Sequence, residues 1–303
     1  MSKLERALAT GGGGQLASDL EALLGEALLG EECDFQARSH AELDIADAAA
    51  LEREIVESRP EVLFNCAAFH NVEICEREER SSFEVNATAV KRMAELCEAH
   101  SVRLVHLSTN YVFDGSAEAP YREDDAPAPQ SIYALSKLAG EYAALTYAPG
   151  ALVVRTGGLY GQYGSASKGG NFVTRMLQRA REQDELEVVA DQRLSPTPTA
   201  DLAAAVIEAV RAGAGGLVHL TASGSCSWHE FTEAIVELAG VEVEVRPTET
   251  TRPPGGARRP LNGVLARPRA DALGLTPLPH WREGLESYME AAGLLPAVSG
   301  AQL

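Results

Sequence analysis

Four consecutive glycines, residues 11–14, lie near the start of this 303-residue chain, between two short runs rich in apolar residues. Residues 6–10 predict a β-strand, and residues 15–24 predict a helix because their leucines recur at helical spacing. A phosphate-binding loop between a first strand and a first helix must turn sharply and bring its backbone close to the phosphate, so it has no room for side chains. The glycines therefore predict a phosphate-binding loop rather than a flexible linker.

Two registers of the dinucleotide-binding pattern fit this loop. One is Gly11-x-x-Gly14-x-x-Ala17, and the other begins at Gly12 and shares its last two positions. In either register, the unpaired amides at the start of the following helix would face the phosphates, and the helix dipole would assist them.

The rest of the first half alternates strand and helix patterns. Strands are expected at 33–38, 61–65, 102–108 and 151–155, and helices at 48–58, 83–99 and 133–147. Repeated strand–helix units predict an α/β fold, a Rossmann-like doubly wound parallel sheet with a smaller C-terminal α/β substrate domain. We expect residues 1–160 to form the NAD(P)-binding domain, with returning segments near 186–222, and residues 161–303 to form mainly the substrate-binding domain.

The later half is less regular. Its patterns predict helices at 171–181, 201–212, 228–239 and 281–292, strands at 186–189 and 217–220, and a loop at 247–260.

Charge and composition exclude several function classes. The net charge of −18 argues against nucleic acid or an anionic membrane as a partner. No run approaches the roughly 18 apolar residues that a membrane span needs, and the start does not resemble a secretory signal. The five cysteines have no metal-binding spacing, so we interpret them as reduced thiols in a soluble, cytoplasmic protein without a metal site. Residues 246–269 hold six arginines and one acid, which fits either an anion site or a solvated or subunit-contacting segment.

The second strand carries two candidates for contact with the adenosine ribose. Asp34 lies 20 residues after Gly14, the spacing typical of an acid that selects NAD. Arg38 lies nearer the end of the strand, where an arginine accommodates a 2′-phosphate. We favour Arg38, and therefore NADPH, and keep NADH as the alternative.

The pair Tyr133 and Lys137 is a candidate for proton-transfer chemistry. Four residues apart on a helix, the two side chains share one face. A nearby ammonium group favours the phenolate, so we expect Lys137 to lower the pKa of Tyr133 toward that of a working proton donor.

The motifs together resemble the extended short-chain dehydrogenase/reductases, and within them the dTDP-4-dehydrorhamnose reductase family. The motifs are TGGGGQL (10–16), NCAA (65–68), STNYVFDG (108–115), YALSKLAGE (133–141) and SPT (195–197), followed by NFV (171–173), ADQ (190–192), ARRPLN (257–262) and PHWR (279–282). The resemblance covers nearly the full length. It implies a reductase that transfers hydride from NAD(P)H to the C4 ketone of a nucleotide-linked 4-keto-6-deoxysugar.

The resemblance also implies roles for individual residues. Tyr133 would be the general acid, Lys137 would position the nicotinamide ribose, and Thr109 would bond the substrate carbonyl. The implied cofactor contacts are Gly11, Gly14, Gln15, Leu16, Arg38, Asp44, Ile45, Cys66, Ala67, Ala68, Tyr133 and Lys137. The implied substrate contacts are His70, Val72, Thr109, Asn110, Tyr111, Gly158, Arg258 and Arg259. Relatives suggest a homodimer, and some carry magnesium at a subunit contact, which no motif here decides.

Three positions depart from the family pattern and leave the sugar open. Gly158 replaces an aromatic residue, His70 replaces a threonine beside the substrate, and Asn110 replaces an aspartate. Because these contacts are altered, two alternatives to a reductase stay open. One is a non-catalytic protein similar to the regulatory subunit of methionine adenosyltransferase, and the other is an epimerase with tightly held NAD. Sugar dehydratases have an acid after the threonine, so Asn110 favours reduction over dehydration.

Two further polar residues are interpreted as structural. His106 lies on an apolar strand, which is typical of a hydrogen-bonded core histidine. Cys66 has no neighbour in sequence that would lower its pKa, so we expect a small core residue beside the cofactor rather than a nucleophile.

Overall fold

The computed structural model describes residues 4–25, 33–163, 170–252 and 254–296. Its strands are β1 Arg6–Thr10, β2 Asp34–Arg38, β3 Val62–Asn65, β4 Arg103–Thr109, β5 Leu152–Thr156, β6 Leu159–Tyr160, β7 Glu185–Val189, β8 Arg193–Leu194, β9 Thr197–Pro198, β10 Gly216–His219, β11 Cys226–Ser227 and β12 Glu244–Thr248. Its α-helices are α1 Gln15–Gly25, α2 Ala48–Ser58, α3 Val72–Arg77, α4 Glu79–Phe83, α5 Ala89–Ala99, α6 Ile132–Tyr147, α7 Phe172–Glu182, α8 Thr199–Arg211, α9 Trp228–Leu238, α10 Pro268–Ala272 and α11 Trp281–Ala291.

Six of the strands form one parallel sheet in the order β10-β5-β4-β3-β1-β2. This confirms the predicted doubly wound α/β fold. The chain leaves β1 toward β2 on one side and returns to β3 on the other, so the strand order reverses at β1, where such sheets bind their ligands. The sixth strand, β10, comes from the later half of the chain, within the segment near 186–222 that we expected to return to the sheet. The division of the chain at residue 160 stays a prediction.

Helices cover both faces of the sheet. Ala7 and Ala9 of β1 lie in a core cluster with α1 and α8, while Leu8 lies in a second cluster with α2, α5 and α6. This alternation along a strand whose last four residues are buried is what a sheet enclosed between two helical layers requires.

A third core cluster belongs to the later helices α7, α9 and α11. Tyr160 lies at its centre, with its ring centroid 5.4 Å from that of Phe231 and 5.1 Å from that of Tyr288. Beside it, β12 pairs with β7 in a small parallel sheet, so the predicted loop at 247–260 is wrong at its first two residues.

The predicted helix 83–99 is interrupted by one turn of π-helix, Glu84–Thr88, which joins α4 to α5. A π turn contains one more residue per hydrogen-bonded ring than an α-helix and is frequent at functional sites. Asn86, in this turn, contacts Phe69 in the segment that follows β3.

Two further observations concern the described ranges as a whole. Within them, no helix combines the length and the apolar character that a membrane crossing demands. All five cysteines lie within these ranges, and none forms a disulfide bond.

Candidate active site

The glycine loop lies against the ends of both neighbouring strands. Gly11 has φ +77°, and a Cβ atom there would lie 2.8 Å from the backbone nitrogen of Ala67, just after β3. A Cβ atom on Gly12 would lie 2.8 Å from the carbonyl carbon of Arg38, at the end of β2, and the amide of Gly12 donates to the Arg38 carbonyl oxygen over 2.7 Å. Both glycines are therefore required by close backbone approach, and together they keep the crevice at the switch point narrow.

A chain of buried polar side chains links the carboxyl ends of three strands. The Thr10 hydroxyl donates to Asn65 Oδ1 over 2.8 Å, and Asn65 Nδ2 donates to His106 Nδ1 over 3.0 Å. His106 is fully buried, which agrees with its prediction as a core residue, and burial holds its pKa well below the ordinary value. Its Nε2 atom has no partner among the described residues, so only half of the expected hydrogen bonding is present.

Asn86 holds the chain that follows β3. Its Oδ1 accepts from the amide of Phe69 over 2.9 Å, and its Nδ2 donates to the carbonyl oxygen of Phe69 over 2.9 Å and to Ser136 Oγ over 3.0 Å. The π turn therefore fixes Phe69, in the segment that follows β3, relative to helix α6.

Lys137 is buried beneath the same segment. Its Nζ donates to the carbonyl oxygen of Leu107 in β4 over 2.6 Å, and the residue is 3% exposed. Burial lowers its pKa to about 8, against the opposing influence of Glu141 and Cys66. Since that value is one unit above neutral, the ammonium form still predominates at pH 7 by about ten to one.

Tyr133 lies one helical turn before Lys137 and shares a side-chain hydrogen bond with Thr109. Burial raises the pKa of Tyr133, the hydrogen bond with Thr109 lowers it, and the net direction is upward. The expectation that Lys137 would lower this pKa is therefore wrong for this arrangement, because removal of the phenol from water outweighs the hydrogen bond with Thr109, the one influence that lowers the pKa. The phenol stays protonated at neutral pH.

A second group of side chains adjoins Tyr133. The Tyr111 ring meets the Tyr133 ring edge to face, with centroids 5.9 Å apart, and Tyr111 bonds the side chain of Arg259. Arg259 Nη2 lies 2.7 Å from Glu73 Oε1, and Glu73 Oε2 accepts from the amide of Ala257 over 3.2 Å. These contacts tie the ARRPLN segment to α3, and they hold the pKa of Glu73 below its ordinary value.

The sequence matches a known protein family over nearly its full length. A family model described as the RmlD substrate binding domain matches residues 5–293. The chain belongs to the RmlD family. The dTDP-4-dehydrorhamnose reductase of Mycobacterium tuberculosis H37Rv is 39% identical over 293 residues, which span 95% of this chain and 93% of that protein. The dTDP-4-keto-6-deoxy-D-glucose reductase of Streptomyces niveus is 36% identical over 283 residues, 93% of this chain and 95% of the relative.

A solved structure is also similar. It is a dTDP-4-dehydrorhamnose reductase from Bacillus anthracis in complex with NADP, with a TM-score of 0.89 and 34% identity, covering 96% of this chain and 100% of that one. The likeness therefore extends over both the sheet and the later helices.

Within this RmlD-family fold, two predicted substrate residues have structural roles. Asn110 is 3% exposed, its Nδ2 donates to the carbonyl oxygen of Gly263 over 2.8 Å, and its side chain abuts Gly157. Gly158 has φ +62°, and a Cβ atom there would lie 2.7 Å from Leu194 Cδ1. The side-chain amide of Asn110 is thus hydrogen-bonded within the protein, and the backbone conformation at Gly158 disfavours any side chain. Contacts of these two residues with substrate stay predictions.

The arginines of residues 246–269 do not form one patch. Arg246 pairs with Glu185 and Glu244, Arg267 pairs with Asp271, and Arg258 is exposed, with Gln130 Oε1 3.4 Å from its Nη1. Of the two predicted substrate arginines, only Arg259 is linked to Tyr133 through Tyr111. A role for Arg258 stays a prediction.

The remaining predicted contacts differ in exposure. Leu16 and Ile45 are buried, one in the core cluster on each face of the sheet. Asp44 is exposed, and its Oδ1 accepts from the amide of Ala46 over 3.0 Å. Half-buried residues of the segment after β3 and the start of α3 are Cys66, Ala67, Ala68, His70 and Val72. Burial raises the pKa of Cys66 to about 12, which agrees with the prediction that this thiol is not a nucleophile. His70 Nδ1 lies 3.4 Å from the carbonyl oxygen of Ala68.

Sequence reasoning missed several residues that support the site. Asn86 was hidden in a helix pattern, and Glu73 was not among the predicted site residues. Glu141, four residues after Lys137, is buried and accepts hydrogen bonds from Arg155 and Ser108. Its position on the same helix face as Lys137 was a signal in the sequence that this acid is buried with a partner. Among the described residues, no group of three or more His, Cys, Asp or Glu side chains is arranged to hold a metal ion.

Proposed function

We propose that this chain is an NADPH-dependent reductase of the C4 ketone of a dTDP-linked 4-keto-6-deoxysugar. The observation that carries the proposal is the grouping of Thr109, Tyr133 and Lys137 at the carboxyl end of β4, on the same edge of the sheet as the glycine loop. Similarity over the full length to proteins named as reductases of such sugars supports the substrate class.

The glycine loop fits a dinucleotide. Gly11 and Gly12 bring the backbone to the crevice at the switch point, and helix α1 begins at Gln15, so its first amides are available to phosphate oxygens. Gln15 Oε1 is buried without a hydrogen-bond partner among the described residues. A buried acceptor of this kind suits a ligand that brings donors, such as ribose hydroxyl groups. Arg38 and Ser39 at the end of β2 suit a 2′-phosphate.

The chain's own part in the reaction is to position the ketone and to donate a proton. NADPH, when bound, supplies the hydride. Tyr133 then donates its proton to the C4 oxygen, since an alkoxide is a stronger base than a phenolate even when burial has raised the pKa of the phenol. The Thr109 hydroxyl stabilises the resulting phenolate, and Lys137 would position the nicotinamide ribose.

Tyr111 adjoins Tyr133, and the predicted substrate contacts His70 and Val72 lie in the segment from the end of β3 to the start of α3. Arg259 is held by Glu73 and Tyr111, which leaves a fixed guanidinium facing the region of Tyr133. A fixed arginine of this kind suits the diphosphate of a nucleotide sugar, because its rigid donors match phosphate oxygens.

The test measures oxidation of NADPH, with NADH in parallel, on addition of dTDP-4-dehydrorhamnose or dTDP-4-keto-6-deoxy-D-glucose. We expect turnover with at least one sugar and a fall of about 10²–10⁴-fold in Tyr133→Phe, the range typical of a lost general acid. Tyr142→Phe is the matched control, since Tyr142 lies on the same helix and is 58% exposed.

Full activity in Tyr133→Phe would overturn the assignment of the acid. Binding of NADPH without turnover of either sugar would favour a non-catalytic role. The proposal also includes a cytoplasmic homodimer, and light scattering of the purified chain during size-exclusion chromatography measures its oligomeric state.

A further inference from the structure

The end of strand β2 carries an arginine that is already paired. Arg38 Nη2 lies 2.8 Å from Glu54 Oε1 and donates to Gln36 Oε1 over 2.6 Å. The side chains of Arg38 and Glu54 are only 29% and 18% exposed, so solvent screens this pair less than a pair on the open surface. Glu54 lies on α2, one turn before the end of that helix.

The next residue is paired in a similar way. Both the amide and the hydroxyl of Ser39 donate to Glu42 Oε2, over 2.8 Å and 2.6 Å. The Ser39 hydrogen bonds and the charge of Arg38 hold the pKa of the Glu42 carboxyl below its ordinary value. Glu42 therefore occupies the donors of Ser39, the residue next to Arg38.

These donors are the ones that a 2′-phosphate would use. The carbonyl of Arg38 accepts from the Gly12 amide, so the Arg38–Ser39 corner adjoins the glycine loop. A guanidinium group beside a serine amide and hydroxyl is a donor set suited to a phosphate monoester. Here two carboxylates of the chain itself occupy those donors.

We propose that Glu42 and Glu54 are specificity-determining residues that compete with the 2′-phosphate of NADPH for Arg38 and Ser39. This inference rests on the proposed function, because it requires the adenosine ribose at this corner. A phosphate monoester carries about −1.5 to −2 charges at neutral pH, so it must displace the two carboxylates or bind beside them. Either way, the advantage that Arg38 gives to NADPH over NADH is reduced.

The competition predicts which changes raise selectivity. Glu54→Gln removes a negative charge that contacts the guanidinium while it keeps the length of the side chain. NADH has no 2′-phosphate, so its affinity responds weakly to either carboxylate. If the carboxylates instead served to hold Arg38 in place for the phosphate, removing them would weaken NADPH binding.

The experiment measures dissociation constants of the cofactor-free protein for NADPH and NADH by fluorescence titration. Adenosine 2′,5′-bisphosphate and adenosine 5′-monophosphate serve as calorimetric probes without the nicotinamide. The variants are Glu54→Gln, Glu42→Gln, the double variant and Arg38→Ala. Glu57→Gln is the matched control because Glu57 is an exposed acid on the same helix.

We expect Glu54→Gln to tighten binding of NADPH and of the bisphosphate by about three- to tenfold, in line with a partly buried ion pair. NADH and the monophosphate should change by less than about twofold, and Glu57→Gln should change neither. In the Arg38→Ala background the effect of Glu54→Gln should disappear.

Weaker or unchanged NADPH binding in Glu54→Gln and in the double variant would overturn the inference. If Arg38→Ala weakens NADPH binding all the same, only the competition is refuted and the proposed cofactor stands. If Arg38→Ala leaves NADPH binding unchanged, the 2′-phosphate does not bind here, and both the competition and the cofactor assignment fail.

Discussion

Replacing Glu141 by glutamine should lower the free energy of unfolding by about 3–5 kcal/mol, because it leaves a buried arginine without its counter-charge. Arg155 Nε and Nη2 donate to the two carboxylate oxygens of Glu141 over 2.9 Å and 2.7 Å. The two side chains are 3% and 2% exposed, so water cannot take over the role of the carboxylate. The third nitrogen, Nη1, already has no partner among the described residues.

Glutamine keeps the size of the side chain but replaces one acceptor oxygen with an NH₂ group. That group faces a donor nitrogen of Arg155 in either orientation, and at the position of Oε1 it also faces the hydroxyl of Ser108, which donates to that oxygen in the native protein. Urea unfolding monitored by circular dichroism gives the change in free energy. A decrease in Tm on the order of 10 °C should accompany it, at about 2–4 °C per kcal/mol in chains of comparable length.

The double variant Glu141→Met, Arg155→Met is the informative comparison. Replacing both members of a buried ion pair by apolar groups is often neutral, so we expect the double variant to recover most of the loss. A wild-type unfolding midpoint in Glu141→Gln would refute the reasoning. So would a double variant as unstable as the sum of the two single changes.

Three further predictions concern the site itself. Asn86→Ala should cost about 1–3 kcal/mol of unfolding free energy and speed hydrogen exchange at the Phe69 amide, since this amide loses its partner and the Phe69 carbonyl keeps only the weak thiol donor Cys75; unchanged exchange would contradict it. Gly158→Ala should cost at least about 1 kcal/mol in urea unfolding, because a Cβ atom 2.7 Å from Leu194 Cδ1 is added at φ +62°; wild-type stability would show that this loop can rearrange. The pKa of Lys137 is about 8 in the folded chain against an ordinary 10.5, so between these pH values the unfolded chain alone holds the proton and stability rises with pH. The unfolding free energy of wild type minus that of Lys137→Met should therefore grow by on the order of 2 kcal/mol from pH 7.5 to pH 10, and a flat difference would refute the assignment.

The glycine loop and the Tyr133–Lys137 pair could be predicted from sequence because their constraints are local. A run of glycines between a strand and a helix leaves few conformations, and a spacing of four residues on a helix defines one face. The strands of the sheet were also recognisable, since burial on both faces leaves continuous apolar runs such as those of β3 and β5.

Contacts between distant segments could not be predicted in this way. The pKa of Tyr133 is set by burial and by a hydrogen bond with Thr109 of a distant strand, whereas the sequence suggested only the neighbouring lysine. The pairing of Arg38 with Glu54 depends on how α2 packs against β2, 16 residues away in sequence. The arginines near the end of the chain look like one basic segment in sequence, yet the fold distributes them among separate partners.

The π turn at Glu84–Thr88 has a consequence for insertions and deletions in this helix. Deleting one residue of the turn would restore a continuous α-helix and rotate α4 by about 100° relative to α5. Ser82, whose hydroxyl lies 3.0 Å from that of Ser136, would then turn away from α6, and Asn86 could no longer reach Phe69 from its present position. The number of residues in this turn, as much as their identity, determines whether the chain beside the cofactor crevice is held in place.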